Sequence, residues 1–198
     1  MIVKKGDFGY LKNRKLLMSA ASIFLLAVIM IMYFGAKAHF GTNRNLFTIF
    51  AALCCIPAGK SIVSTIMYFL AKGCPDSARR VIDPVMEGSA AVSAYDLYLT
   101  GYSRNYVLWH TSAVNKSILV YSPLCAASAS GGRKNAVSVE DHIKTILAND
   151  SITGWTVHVY GDDKKYTERL ENILLSASHD APLAGEKRVM EILKAVSL

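Results

Sequence analysis

The chain begins with two long apolar segments and then changes to shorter, alternating patterns. Residues 16–34 form a run of 19 residues without a charged side chain, and residues 46–71 form a second run in which Lys60 is the only charged residue. A helix of 19 residues spans about 28 Å, close to the thickness of a bilayer core. The pattern predicts a transmembrane helical hairpin over residues 16–72, with helices at 16–35 and 46–71.

A cleaved signal peptide is the main alternative for the first apolar run. Basic residues precede the run, and Ala36, Lys37 and Ala38 follow it in an order suited to a cleavage site. However, the apolar core of a signal peptide usually has only roughly 7–15 residues. The greater length of this run favours an uncleaved membrane span.

Gly59-Lys60-Ser61 in the second run looks like the end of a phosphate-binding loop. Such a loop needs a glycine five residues before Gly59, where this chain has Cys54. Pro57 would also remove a backbone donor from the loop. The pattern therefore excludes a nucleotide-binding loop, and Pro57 instead predicts a kink in a membrane helix.

Beyond Pro57, polar residues recur at helical spacing on one side of the second run, which indicates an amphipathic helix. These residues are Lys60, Ser61, Ser64, Thr65, Tyr68 and Lys72. Lys60, Ser64 and Tyr68 are the candidate intramembrane polar residues on that side. A lysine at the bilayer centre costs about 2.5–3.5 kcal/mol on insertion scales. Lys60 could reach the headgroups, face a partner helix or polar cavity, or bind a lipid phosphate; we favour the first arrangement.

The excess of positive charge is confined to the apolar half of the chain. Residues 1–80 carry 11 Lys and Arg and 2 Asp and Glu, a net charge of 11 − 2 = +9. Residues 81–198 carry 11 and 13, a net charge of 11 − 13 = −2. The larger segment therefore has no basic stripe of the kind that binds a phosphate backbone, and we expect no nucleic-acid partner.

The placement of lysine and arginine predicts the orientation in the membrane. Residues 1–15 form a basic N-terminal segment with five such residues, and residues 72–80 carry three. The connector 35–45 carries only Lys37 and Arg44. We therefore expect an integral, multi-pass membrane protein with both termini in the cytoplasm.

Residues 75–198 are expected to form a cytoplasmic α/β domain with a small mixed sheet. The order of elements is α-β-β-β-α-β-α-α, in which a helical crossover leads to the fourth strand. The predicted elements are one or two helices within 76–90, strands at 92–100, 106–111 and 116–121, a helix at 137–149, a strand at 155–160, and helices at 164–176 and 185–196.

This order of elements resembles the common core of restriction-endonuclease-like folds. The resemblance implies an acidic residue on the second strand and a Glu-x-Lys motif on the third. Here those strands read "YVLWHT" and "KSILVY", and neither contains a carboxylate. A magnesium-dependent nuclease is therefore unsupported, since a shared topology does not imply a shared function.

A glycine-rich segment at 123–136, "PLCAASASGGRKNA", is predicted to be a loop between a strand and a helix. Such a loop can bind an anion through backbone N–H groups at a helix start. The candidate residues are Ser130, Gly131, Gly132, Arg133 and Lys134. A flexible connector is the simpler interpretation, because the spacing is not that of a dinucleotide-binding motif.

No catalytic residue, metal site or cofactor is predicted from the remaining residues. His39, His110, His142, His158 and His179 have no metal-binding spacing, so packing or surface roles are expected for them. The acidic pair Asp162-Asp163 is expected at a helix start, where carboxylates interact well with the helix dipole. The aromatic residues of the first three strands are expected to pack on the sheet or to bind a protein.

These observations favour a membrane-anchored cytoplasmic interaction or regulatory module that is not an enzyme. Its expected partners are the lipid bilayer and either another protein or further copies of the chain. Two alternatives stay open. One is a ligand sensor, anion sensor or enzyme that uses the loop at 123–136, and the other is a subunit of a larger membrane transport complex.

Overall fold

The chain folds into two compact units, which are described separately. The structure is a computed structural model that describes residues 3–42, 45–101, 105–126, 132–177 and 182–198. One unit, the sheet unit, joins the N-terminal residues up to Tyr10 with Gly73–Leu198, and the other, the helical unit, is Leu11–Lys72. The basic segment predicted at 1–15 is therefore divided between the two units.

The helices and strands largely follow the predicted order. In chain order they are α1 (Tyr10–Phe40), α2 (Leu46–Leu70), α3 (Asp76–Met86), β1 (Val92–Thr100), β2 (Asn105–Val114), β3 (Ser117–Tyr121), α4 (Pro123–Ala126), α5 (Gly132–Asn149), β4 (Thr156–Tyr160), α6 (Asp163–Ser176) and α7 (Ala184–Val196). Both α2 and α3 continue through a proline, Pro57 and Pro84 respectively.

The helices α1 and α2 are long and apolar enough to cross a membrane. They contain 31 and 25 residues, and the mean hydropathy of an 18-residue window is 2.4 in α1 and 1.9 in α2. Only 6% and 11% of those windows is buried in the protein, whereas the core helix of a soluble protein would be mostly buried. Length and composition thus make both helices candidate membrane spans.

The four strands form one mixed sheet in the order β1-β2-β3-β4. β1 pairs antiparallel with β2, β2 pairs antiparallel with β3, and β3 pairs parallel with β4. The parallel pair needs a long crossover, which α4 and α5 supply. The predicted mixed character of the sheet is confirmed.

Helices cover both faces of the sheet, and each face has its own hydrophobic core. On one face, α5 and α7 contribute the buried side chains of Val139, Ile143, Leu147, Val189, Met190 and Leu193. On the other face, α3 and α6 contribute those of Ala78, Ile82, Tyr166, Leu170 and Ile173. The sheet unit is therefore an α/β/α sandwich, in which each amphipathic helix buries its apolar stripe against the sheet.

Backbone groups of Gly6 and Leu198 cover the outer edge of β1. The Tyr95 N–H donates to the Gly6 carbonyl at 2.7 Å, and the Leu198 N–H donates to the Tyr98 carbonyl at 2.9 Å. The Lys5 ammonium also donates to the Ser197 carbonyl. An uncovered edge strand is a template for unwanted pairing, so these contacts protect the sheet and fix residues 5–6 and 197–198 to it.

The region after β3 differs from the loop predicted at 123–136. It contains the short helix α4, and α5 begins at Gly132 rather than near residue 137. Ser138 consequently lies inside α5, where its hydroxyl is 2.5 Å from the Tyr106 hydroxyl. Because Tyr106 is buried on β2, its hydroxyl needs a partner, and a helical Ser138 provides one.

Candidate functional site

A buried polar cluster lies between β2 and α6. His110 and Ser112 are two residues apart on β2, so both point to the face covered by α6. The Tyr166 hydroxyl of α6 lies 2.6 Å from His110 Nδ1 and 3.2 Å from Ser112 Oγ. All three side chains are fully buried. Within the part of the chain that the structure describes, His110 Nε2 has no hydrogen-bond partner.

Burial keeps the groups of this cluster neutral. It lowers the pKa of His110 to about 3, and the nearby Asp83 carboxylate only partly opposes this effect. Burial also raises the pKa of Tyr166, while its hydrogen bond to Ser112 acts in the opposite direction. Cys74 lies outside this cluster but in the same hydrophobic core as Tyr166, and burial together with the charge of Asp96 raises its pKa to about 12. None of these groups is thus ready at neutral pH to act as a nucleophile or to hold an added proton.

Contacts through Tyr95 and Asp83 connect this cluster to the surface at α3. The Tyr95 ring lies 4.5 Å from the His110 ring, and its hydroxyl donates to Asp83 at 2.6 Å. The Arg79 guanidinium donates to the same carboxylate at 2.7 Å. Burial acts to raise the pKa of Asp83, but the hydrogen bonds from Tyr95 and Arg79 outweigh it and lower that pKa. Asp83 is therefore a stable carboxylate that ties α3 to β1.

Asp96 holds the two chain segments that flank the helical unit. It is 3% exposed on β1, and its carboxylate accepts from the Gly9 N–H at 3.0 Å and the Cys74 N–H at 2.7 Å. Gly9 immediately precedes α1, and Cys74 lies four residues after the end of α2. One buried carboxylate thus fixes both segments to the same strand.

The backbone of Asp96 explains how its side chain reaches these donors. Asp96 has a φ of +55°, in the left-handed region that aspartate tolerates better than most residues. In the strand register, Tyr95 lies opposite His110 and Leu97 lies opposite Leu108, so Asp96 stands between these two positions. A strand residue in this conformation interrupts the alternation of faces, which lets the carboxylate turn toward the chain segments beside β1.

In the helical unit, a cluster of hydroxyl groups joins α1 and α2. The Ser22 hydroxyl lies 2.8 Å from the Ser61 hydroxyl and 2.9 Å from the Thr65 hydroxyl. Small hydroxyl-bearing residues allow two helices in a membrane to approach closely and bond across their contact. Ser61 and Thr65 belong to the polar side predicted for this helix. Of the three candidate residues on that side, Lys60 is exposed, Ser64 is half-buried and Tyr68 is buried.

Replacing Ser22 with alanine is expected to weaken the packing of α1 against α2 by about 0.6 kcal/mol, the average for such bonds between membrane helices, and by no more than about 1.7 kcal/mol. Thermal loss of helical circular dichroism in detergent micelles would measure the effect. Ser19→Ala is the matched control, because the Ser19 hydroxyl donates only to the Leu16 carbonyl of its own helix. Equal destabilisation by both variants would contradict a bond between the helices.

The predicted anion-binding residues are only partly described. Ser130 and Gly131 lie outside the described residues. Gly132, Arg133 and Lys134 form the first turn of α5, and their side chains lie outside the described part as well. The acidic pair is confirmed at a helix start, because the Asp162 carboxylate accepts from the Lys164 N–H at 3.0 Å and caps α6.

The described residues contain no group of three or more His, Cys, Asp or Glu side chains that could hold a metal ion.

The strand aromatic residues that the structure describes are packing residues. Tyr98, Tyr106 and Tyr121 are buried, and Tyr95 and Trp109 are half-buried against the sheet. A surface groove of about 320 Å³ lies beside Leu175, which is 86% exposed at the end of α6.

Comparisons with protein-family models, with curated proteins and with solved structures found no match to this chain.

Proposed function

We propose that the protein is a membrane-anchored interaction or regulatory module, with two spans and both flanking segments in the cytoplasm. The observation that carries this proposal is the Asp96 carboxylate, which binds the segment before α1 and the segment after α2. Segments held by one side chain must lie on the same side of a membrane. The number of spans between them is therefore even, which supports α1 and α2 crossing together.

The same contacts argue against α1 as a cleaved signal peptide. Cleavage after α1 would remove the Gly6 carbonyl that accepts from Tyr95 and the Gly9 N–H that donates to Asp96. It would also remove Phe8, whose ring packs edge-on against Tyr95 at 5.7 Å. A folded sheet unit that uses these residues favours retention of the N-terminal segment.

The charge distribution supports the cytoplasmic side for the sheet unit. Five Lys and Arg residues precede the first apolar run and three lie within 72–80, against two in the connector. Basic flanks are retained in the cytoplasm.

The neutral, fully buried state of His110 and Tyr166 supports a structural rather than a catalytic role for the polar cluster between β2 and α6. This role fits a module that acts by binding.

Single cysteines would test the topology in cells. Thr42→Cys in the connector and Glu171→Cys on α6 would each be introduced with Cys54, Cys55 and Cys125 replaced by alanine. Cys74 is retained, because its buried thiol has a pKa raised to about 12 and should not react. We expect an impermeant maleimide to label Thr42→Cys in intact cells and Glu171→Cys only after permeabilisation.

Three other results would contradict parts of the proposed topology. Labelling of Glu171→Cys in intact cells would reverse the proposed orientation. Release of the chain from membranes by an alkaline wash would contradict anchoring by α1 and α2. A processed chain that lacks its N-terminal residues would identify α1 as a signal peptide.

The non-enzymatic part of the proposal is tested by ligand binding. The full-length chain in detergent would be heated with nucleotides, phosphorylated metabolites or divalent metals, and its unfolding temperature compared with that of the free chain. We expect no shift, since a ligand that binds only the folded state would raise this temperature. A shift that disappears in Arg133→Ala would support the ligand-sensing alternative instead.

A further inference from the structure

A groove of about 360 Å³ lies on the helical unit, between the beginning of α1 and the end of α2. It is lined by Lys12, Asn13, Lys15, Leu16, Ser19 and Phe69. Positions 12, 15, 16 and 19 fall on one face of α1, because residues three and four apart are neighbours on a helix. Phe69 comes from the last turn of α2.

The groove combines cationic and apolar groups. Lys12 and Lys15 supply two ammonium groups just before the apolar run of α1 begins. Leu16 and Phe69 are 73% and 61% exposed and supply apolar surface beside them. A ligand that matches the whole groove therefore has an anionic group joined to an apolar group.

The charge of the surrounding unit favours an anion. Leu11–Lys72 contains seven Lys and Arg residues and no Asp or Glu. No carboxylate within this unit therefore competes for the lysine ammonium groups or repels an approaching phosphate. A lysine near a membrane surface gains about 1 kcal/mol from anionic lipids.

The position along α1 matches the level of lipid headgroups. Residues 16–34 span about 28 Å, which fills the hydrocarbon core of a bilayer. Lys15 is the residue immediately before that run, and Lys12 lies one turn further out. With α1 across a bilayer, both ammonium groups reach the layer in which lipid phosphates lie.

We propose that this groove binds the phosphate headgroup of an anionic phospholipid. Lys12 and Lys15 hold the phosphate as point charges, while Leu16 and Phe69 contact the first carbons of the acyl chains. This assignment rests on the proposed insertion of α1 and α2 into a bilayer. A free phosphate would use the lysines alone and would leave the apolar wall exposed to water.

Native mass spectrometry of the full-length chain in detergent would test the assignment, with phosphatidylglycerol as the anionic lipid and phosphatidylcholine as the neutral lipid. Lys12→Gln/Lys15→Gln should reduce phosphatidylglycerol binding about tenfold to thirtyfold and leave phosphatidylcholine binding nearly unchanged. Lys37→Gln/Lys60→Gln removes the same charge from residues that do not line the groove and should bind phosphatidylglycerol like the wild type. Phe69→Ala should weaken the binding of both lipids to a similar extent.

Three results would overturn the assignment. The first is equal binding of the two lipids by the wild type. The second is an equal loss of phosphatidylglycerol binding in the two double variants, which would indicate a diffuse charge effect. The third is full displacement of phosphatidylglycerol by millimolar inorganic phosphate, which would identify a site for free phosphate.

Flotation of the chain with lipid vesicles on a density gradient separates this inference from the function on which it rests. Wild type and both double variants should float with vesicles of phosphatidylcholine alone, since insertion depends on the apolar runs. A wild-type chain that does not float would overturn both the membrane anchoring and the lipid site. A chain that floats but shows no preference for phosphatidylglycerol would overturn the lipid site only.

Discussion

Replacing Asp96 with alanine is expected to lower the free energy of unfolding of the sheet unit by about 3–5 kcal/mol. The buried carboxylate accepts hydrogen bonds from the Gly9 and Cys74 N–H groups. A hydrogen bond to a charged group contributes about 1.5–3 kcal/mol, and its loss leaves the donor unpaired. Alanine also tolerates the left-handed backbone at this position less well than aspartate.

Urea unfolding followed by tryptophan fluorescence would measure this effect on the full-length chain in detergent. The two tryptophans, Trp109 and Trp155, both belong to the sheet unit, so their emission reports on that unit. Asp96→Gly removes the carboxylate without the backbone penalty and should retain most of the loss. Glu171→Ala, at an exposed position of α6, should change stability by no more than about 0.5 kcal/mol.

A stable Asp96→Gly variant would show that the carboxylate is not needed to hold the flanking segments. The proposed topology gives a second prediction for the Asp96→Gly variant. If Asp96 fixes the segment before α1, its loss should expose that segment to protease while the rest of the sheet unit stays resistant. A segment equally protected in wild type and variant would contradict the role assigned to Asp96.

The pattern of β1 located this strand correctly but could not reveal the role of Asp96. Alternation over 92–100 predicted the strand bounds that the structure has. A polar residue in an alternating pattern is expected on the solvent side of the sheet. The left-handed backbone at Asp96 and its two backbone donors depend on chain segments that are distant in sequence. Periodicity within one strand carries no information about such partners.

The polar cluster was missed for a related reason. His110 is 56 residues from Tyr166, and each lies within an ordinary amphipathic element. Their contact depends on the pairing of α6 with one face of the sheet, which composition and spacing do not specify. The available signal was His110, a polar residue within the largely apolar strand predicted at 106–111, because buried polar residues require partners.

The helical unit was easier to predict than its contacts. Length and hydropathy identified α1 and α2, since these quantities depend only on local sequence. The polar side of α2, which includes Ser61 and Thr65, was also visible from its spacing, but spacing alone did not show that these two residues bond to α1. Ser22 is a lone hydroxyl within the apolar run of α1, and only the packing of the two helices gives it a role.

Stability of the sheet unit should fall by about 2 kcal/mol between pH 7 and pH 5 because His110 is buried. Its pKa is lowered to about 3 in the folded chain, whereas an exposed histidine has a pKa of 6.5. The unfolded chain therefore binds one more proton than the folded chain between these two values. The free energy of unfolding is therefore greatest above pH 6.5 and falls progressively as the pH drops toward 3. Urea unfolding at pH 7 and pH 5 would measure the difference.

Three variants separate the possible sources of this pH dependence. His110→Phe should abolish the difference between pH 7 and pH 5, even if the variant is less stable at both. Tyr166→Phe removes the hydroxyl 2.6 Å from Nδ1 but leaves the ring buried, so the difference should persist. His158→Gln changes an exposed histidine on β4 and should leave it unchanged. A pH difference that survives His110→Phe would instead assign the proton uptake to groups outside the cluster between β2 and α6.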